Sequence, residues 1–167
     1  HLLSRRQRQM CIRDRRYDTV YNALKAAQEL AIDTAPKEVL IYIHDGARPC
    51  ISREIIKNCE EAALQYGACT AAVPVKDTIK VVSPEGFAVD TPDRNTLWQI
   101  QTPQVFRSDI ISSAYAKMYA DTDRGTITDD AMLVERYTDV PVKMAMGAYT
   151  NIKITTPEDM GIAAQYL

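Results

Sequence analysis

The sequence predicts an α/β fold with a mainly parallel sheet and a hairpin-like excursion from it. Three observations carry this reading. Apolar runs of strand length alternate along the chain with segments of helical periodicity. Two of the runs, 39–43 and 69–75, are apolar at nearly every position, as strands covered on both faces are. Between 75 and 93 that rhythm stops, and short β-like runs flank the turn sequence Ser83-Pro84-Glu85-Gly86.

The elements follow in order. Val20, Leu24, Ala27 and Leu30 recur at helical spacing, which predicts a helix over 16–30 with Asp18 or Thr19 at its start. Val39 to Ile43 reads as a fully buried strand ending in the polar string His44-Asp-Gly-Ala-Arg-Pro49. Ser52 caps a helix with Ile55, Ile56, Cys59, Ala62 and Ala63 on one face, and Gly67 stops it. Cys69 to Val75 is a second buried strand. Thr78–Val82 and Phe87–Val89 form the hairpin. Leu97 to Phe106 is strand-like but broken at Thr102-Pro103. Ser108-Asp109 starts a helix to Tyr119, and Thr128-Asp129-Asp130 starts another to Tyr137. Val140 to Met146 is a strand. Pro157, in its tolerated first-turn place, opens a closing helix to Leu167.

Composition narrows the class. The chain has 167 residues, 46% apolar and 25% charged, which suits one soluble domain with a substantial core. No apolar run approaches the ~20 residues that cross a bilayer, and residues 1–15 contain no secretory h-region. The four cysteines show no C-x-x-C or metal-ligand spacing, which fits free thiols in a reducing cytoplasm. Residues 1–15 hold five arginines and one acid; without them 15 basic and 21 acidic residues remain. That segment lacks helical or strand periodicity. It is expected to be a non-native leader, 1–15, ahead of the domain at 16–167. No nucleic-acid or membrane partner is expected.

Ligands of such sheets bind beyond the carboxyl ends of the strands. That rule points at Asp45 to Arg48, Lys76 to Thr78 and Lys153. Asp45 can accept hydrogen bonds from polyol hydroxyls or help hold a metal through water. Arg48 can fork to a phosphate or pair with Asp45, and an internal Asp–Arg pair that stiffens the turn is the competing reading. Gly46 permits close approach of a ligand to the backbone. His44, at a strand end, reads as structural. Lys153, Lys76 and Lys80 each read equally as solvated surface. Arg94 sits in a turn-like triplet, and Thr128-Asp129 reads as a helix cap. Neither a nucleophile triad nor a phosphate-binding glycine motif is present. The residues alone therefore stop at an α/β domain with polar groups converging at strand ends.

Seven strings add to this: Arg16-x-Asp-Thr-Val-x-Asn-Ala-Leu24, His44-Asp-Gly-Ala-Arg-Pro49, Val73-Pro-Val-Lys-Asp-Thr-Ile-Lys80, Asp93-Arg-Asn-x-Leu-Trp98, Gln101-Thr-Pro-Gln104, Ile127-Thr-Asp-Asp-Ala131 and Asn151-Ile-Lys-Ile-Thr155. In this order they resemble the 2-C-methyl-D-erythritol 4-phosphate cytidylyltransferases of the non-mevalonate isoprenoid pathway. The resemblance implies a Rossmann-like nucleotidyltransferase fold and a homodimer. In it the hairpin arm, about 74–97, reaches over the partner's active site. It implies attack of the polyol phosphate on the α-phosphorus of CTP, with Mg2+ bound mainly through the CTP phosphates. By similarity, Arg94 and Lys153 would position the polyol phosphate, with Thr78, Thr102 and Thr128 nearby. Arg94 and Thr78 would come from the partner's arm. Asp45 and Arg48 would bind the polyol end. Arg16, Thr19 and Gly46 would lie toward the cytidine, Thr19 standing where the family usually has serine.

The resemblance also predicts an absence. The family's first strand and its glycine-rich loop, with an arginine and a lysine that stabilise the transition state, should precede Arg16. The sequence is therefore expected to be an N-terminally truncated member with an exposed sheet edge. It is expected to be inactive by itself, because losing one preorganised charge contact costs ~10²-fold or more. The alternatives are a ribitol 5-phosphate cytidylyltransferase, with the same chemistry on another polyol, and a non-catalytic dimerising fragment.

Overall fold

The computed structural model of the chain describes residues 16–30, 35 and 39–167. The expected leader, 1–15, lies outside the described residues. The order is α1 (Arg16–Leu30), β1 (Leu40–Ile43), α2 (Arg53–Tyr66), β2 (Ala68–Pro74), β3 (Val81–Val82), β4 (Ala88–Asp90), a 3-10 turn (Arg94–Thr96), β5 (Trp98–Arg107), α3 (Ser108–Ala120), α4 (Asp130–Tyr137), β6 (Lys143–Met146) and α5 (Pro157–Ala163).

Four strands form one sheet in the order β1-β5-β2-β6, and β3 and β4 form a separate hairpin. β2 and β6 pair in parallel, while β5 runs antiparallel to both β1 and β2. So β1, β2 and β6 point the same way, as a mainly parallel sheet requires, with β5 inserted against them. Neighbouring strand residues face opposite sides. Phe106 packs with Leu24, Ile111, Tyr115, Met118 and Leu133, whereas Val105 packs with Ile55, Cys59 and Ala63. Helices α1, α3 and α4 therefore cover one face of the sheet and α2 the other. Phe106, Ile111, Tyr115 and Met118 are fully buried, each contributing about 1.5–3 kcal/mol through burial.

Helix α2 shows how local sequence sets an element. Ser52 Oγ accepts from the Ile55 N–H at 3.3 Å, and Gly67 takes the left-handed conformation with its N–H on Ala63 O. A Cβ at Gly67 would also push on the Ile110 terminal methyl, 2.6 Å away, but it is the positive φ that favours glycine there.

Several expectations are corrected. Asp18 and Thr19 lie inside α1 rather than at its cap, because α1 already includes Arg16 and Tyr17. The Asp18 carboxylate instead accepts from the Tyr119 hydroxyl of α3. The 39–43 strand is not fully buried: Tyr42 is exposed and its neighbours half-buried, because β1 is an edge strand of the described sheet. Ile56 of α2 is likewise exposed. β5 is not broken at Pro103. The β2–β5 register shifts between Thr70 and Ala72, and the proline sits in that bulge, where no ladder donor is needed. The hairpin strands are shorter than the apolar runs suggest, since Thr78–Lys80 carry no strand pairing. β6 starts only at Lys143, and α5 stops at Ala163.

Candidate active site

A cleft of about 350 Å³ opens where β1 and β5 meet the loops after β6 and before α4. Its lining includes Asp45, Arg48, Thr102, Thr128 and Lys153, together with Gln101, Gln104 and Asp129. Five residues singled out in the sequence are thus brought together from distant parts of the chain.

One wall is an ion cluster. Lys153 Nζ lies 3.0 Å from Asp45 Oδ2, and Arg48 Nε lies 3.5 Å from the same oxygen. Arg48 also donates from Nη1 to Asn151 O at 2.8 Å. Ile154 N donates to Ala47 O at 2.8 Å, so the segment carrying Lys153 runs alongside the turn carrying Asp45. The Asp–Arg pairing read from the sequence exists, but it belongs to the cleft rather than to the turn alone. Arg48 and Asp45 are largely shielded and Lys153 is about half exposed, with side-chain exposures of 13%, 21% and 47%. A charge so shielded needs its partner, while the lysine tip remains open to a ligand.

The floor is a hydrogen-bond chain. Thr102 Oγ1 accepts from Asp45 N at 3.0 Å and donates to His44 Nδ1 at 3.0 Å. His44 Nε2 then donates to Arg48 O at 3.1 Å. These partners assign the imidazole proton to Nε2. His44 is thus hydrogen-bonded at both ring nitrogens.

Asn151 and the two glutamines close the back. Asn151 Nδ2 donates to Thr102 O at 2.9 Å and to Gln101 Oε1 at 3.3 Å. Gln101 Nε2 donates to Ala148 O at 2.8 Å. A Cβ at Gly147 would collide with Gln101 Oε1, so that glycine permits the close approach. Gln104 Nε2 donates to Asp129 Oδ2 at 2.8 Å. Asp129 also caps α4, its Oδ1 accepting from Met132 N at 2.8 Å, so the helix-cap reading holds. Burial first, and then the Asp129 charge, push the Glu135 carboxyl on the same helix above its usual value.

Other expected residues lie elsewhere. Thr19 lines a separate apolar groove between α1 and β1 that ends at His44, one residue short of the cleft. Arg16 opens α1, and its side chain lies outside the described residues. Gly46 sits in the exposed turn beside Asp45, and a Cβ added to it would meet no atom within 4 Å. Thr78 and Arg94 are exposed in the hairpin region, outside the cleft lining. Arg94 Nη1 donates to Lys76 O at 2.7 Å, and Lys76 Nζ lies 3.5 Å over the Tyr149 ring. Sequence reasoning assigned no role to Gln101, Gln104 or Asn151. The available signal was two glutamines bracketing Thr-Pro within a strand-like run.

Residues 3–167 match the family model of 2-C-methyl-D-erythritol 4-phosphate cytidylyltransferase. The chain is 51% identical over 152 residues to the protein of that name from Lachnospira eligens, covering 91% of this chain and 63% of the relative. It is 44% identical to the Clostridioides difficile protein, covering 91% and 60%. Among solved structures it resembles the Anaerococcus prevotii 4-diphosphocytidyl-2C-methyl-D-erythritol synthase, with TM-score 0.79, 34% identity, and coverage of 92% and 64%. The Francisella tularensis cytidylyltransferase gives TM-score 0.78 and 30% identity, covering 93% and 69%. The chain thus spans less than two thirds of the curated relatives' length. Its sheet and helices have the Rossmann-like nucleotidyltransferase arrangement that the strings implied, and the chain belongs to the 2-C-methyl-D-erythritol 4-phosphate cytidylyltransferase family.

Proposed function

We propose that the cleft binds 2-C-methyl-D-erythritol 4-phosphate for transfer of a cytidylyl group from CTP, giving the CDP-polyol and pyrophosphate. The observation that carries this is the Lys153–Asp45–Arg48 cluster in a chain of this family. A phosphate monoester is already a nucleophile, so the reaction needs no strong base. It needs two anions brought together and fixed cations where charge develops.

In this reading Lys153 meets the polyol phosphate with its exposed ammonium. Asp45, its charge balanced by Lys153 and Arg48, is the carboxylate that polyol hydroxyls would donate to. Thr102 orients Asp45 rather than donating to substrate, because its hydrogen is committed to His44. Thr128, whose hydroxyl donates to Met132 Sδ at 3.3 Å, offers its oxygen as an acceptor in the same lining. Gly46 and the α1 side, with Arg16 and Thr19, face the cytidine.

Arg94 and Thr78 act in trans, on the cleft of a second copy. Their exposure supports this, as do the exposed apolar residues Val81, Val82, Phe87 and Val89 around them. The reading therefore includes a homodimer with arm exchange. Mg2+ supplies charge neutralisation on the triphosphate. Among the described residues no group of three metal-ligating side chains occurs, and Asp45 is already paired, so no step is assigned to a protein-held metal. No helix among the described residues is long and apolar enough to cross a membrane. The reading places the reaction in the cytoplasm, where CTP is available.

Calorimetry with methylerythritol phosphate and ribitol 5-phosphate tests the reading. Methylerythritol phosphate is expected to bind preferentially, and K153A to lose that binding. Preference for ribitol 5-phosphate would move the assignment to the sister enzyme. Absence of binding by either polyol phosphate would overturn it.

A further inference from the structure

Gln104 is a polar side chain in a place that favours apolar ones. It lies mid-strand on β5 with 1% of its surface exposed, between Val105 and the bulge at Pro103. Its three side-chain hydrogen bonds all point one way. Its Nε2 donates to Asp129 Oδ2 at 2.8 Å, and its Oε1 accepts from Asp130 N at 3.0 Å and Ala131 N at 3.1 Å. A neutral amide is the side chain that can do both at once, donating to a carboxylate while accepting two backbone donors. The three contacts clamp the first turn of α4 to the sheet.

That turn lines the same cleft as Lys153. Asp129 receives Gln104 on one carboxylate oxygen and Met132 N on the other. Its orientation is therefore fixed from both ends, and Thr128 precedes it on the same lining. The clamp does more than stabilise a helix end, because Ser52 caps α2 with a single side-chain contact. We propose that Gln104 is a positioning residue that holds the Thr128–Asp129 wall at the distance a polyol requires, and so sets which polyol phosphate the cleft accepts. This rests on the polyol-phosphate reading of the cleft.

The charged and titratable groups around the clamp are Asp129, Asp130 and Glu135 on α4, Tyr115 on α3, whose hydroxyl donates to Asp130 Oδ1 at 2.5 Å, and Asp45, Arg48 and Lys153 across the cleft. Replacing the amide by a carboxylate makes a sharp test. In Q104E at high pH, two carboxylates meet where an N–H···O bond stood. At low pH the new side chain can protonate, donate to Asp129 and still accept from the two backbone N–H groups. Like-charged carboxylates this close share a proton.

The experiment measures methylerythritol phosphate affinity by calorimetry at about pH 8 and about pH 5.5, each variant referred to wild type at the same pH. Expected for Q104E is a loss of about tenfold or more at the higher pH that recovers to within about threefold at the lower, the size of one charge-assisted hydrogen bond. Q104M, which fills the space without the bonds, should lose binding equally at both pH values. Thermal melts separate these losses from unfolding. Q104M binding like wild type would overturn the proposal whatever Q104E does, as would a Q104E loss that ignores pH. If wild type binds no polyol phosphate, the functional reading itself fails. That outcome is distinct from wild type binding and the variants binding equally.

Discussion

The cleft and the hairpin carry residues implied in the same reaction, yet they are built in opposite ways. In the cleft Asp45 is held by Thr102, Arg48 and Lys153, and Asp129 by Gln104 and Met132. In the hairpin, Val81, Val82, Phe87 and Val89 face solvent, and Arg94 is fixed by a single side-chain bond to Lys76 O. A preorganised site keeps its geometry before the ligand arrives. An exposed arm with an apolar surface gains its order from what it docks on. The difference teaches that the cleft side chains are held within one chain, while Arg94 and Thr78 lie outside its lining, as the proposed action in trans requires.

The largest effect should come from breaking both regions at once. K153A and R94A are each expected to weaken methylerythritol phosphate binding by about 10²-fold, the scale of one preorganised charge contact. Neither should move thermal stability by more than about 0.5 kcal/mol, because both side chains are substantially exposed. If the arm acts in trans, mixing the two variants restores some sites. Random exchange of a 1:1 mixture makes about half the dimers mixed, each with one intact site, so about a quarter of the wild-type stoichiometry should return. Titration calorimetry of the mixture reads this directly. A mixture that binds no better than its components places Arg94 on its own chain's cleft.

Next in size is the hairpin surface. Phe87 is 73% exposed beside Val89 at 63%. F87D should weaken self-association at least about tenfold by sedimentation velocity, while leaving the near-ultraviolet spectrum of the monomer unchanged. An unchanged association constant would remove the apolar argument for arm exchange.

The two regions also differed in how far the sequence revealed them. Both ends of helix α2 could be read from the sequence, because Ser52 and Gly67 act within one turn of themselves. The ring of Asp45, Arg48 and Lys153 could be placed by the strand-end rule, since each follows an apolar run. What depended on distant partners stayed hidden. The exposure of β1 follows from its edge position, and the passage of β5 through Pro103 follows from a bulge set by β2. Gln104 carried only its place in the Gln-Thr-Pro-Gln string. A glutamine shows no periodicity, and its role appears only when the first turn of α4 folds onto it from 26 residues away. The hairpin gave its turn sequence but not its partner.

A smaller effect tests how independent the scaffold is of the site. S52A removes one cap contact from α2 and should cost about 1 kcal/mol by denaturant titration. Polyol phosphate affinity should not change, since α2 covers the sheet face away from α4. Affinity falling in step with stability would mean that the cleft is less independently held than its hydrogen bonds imply.

The smallest effect concerns the anchor behind Lys153. Asp159 Oδ2 accepts from Thr155 N at 2.8 Å, Thr156 N at 2.8 Å and Thr155 Oγ1 at 3.1 Å. The Thr155 and then the Thr156 backbone N–H hold its carboxyl below the usual value. A depressed folded-state value means that the contribution is present above the unfolded carboxylate pKa of about 3.9 and is lost as pH falls through the lower folded one. The Thr155 and Thr156 amide resonances should therefore titrate together in that acid window. D159N should remove the titration while shifting the melting midpoint near neutral pH by about 2 °C or less. Because the carboxylate is open to solvent, salt should shrink even that shift. If D159N instead lowers methylerythritol phosphate affinity as strongly as K153A, the loop's own hydrogen bonds do not suffice to place Lys153, and the rigid wall of the cleft extends into α5.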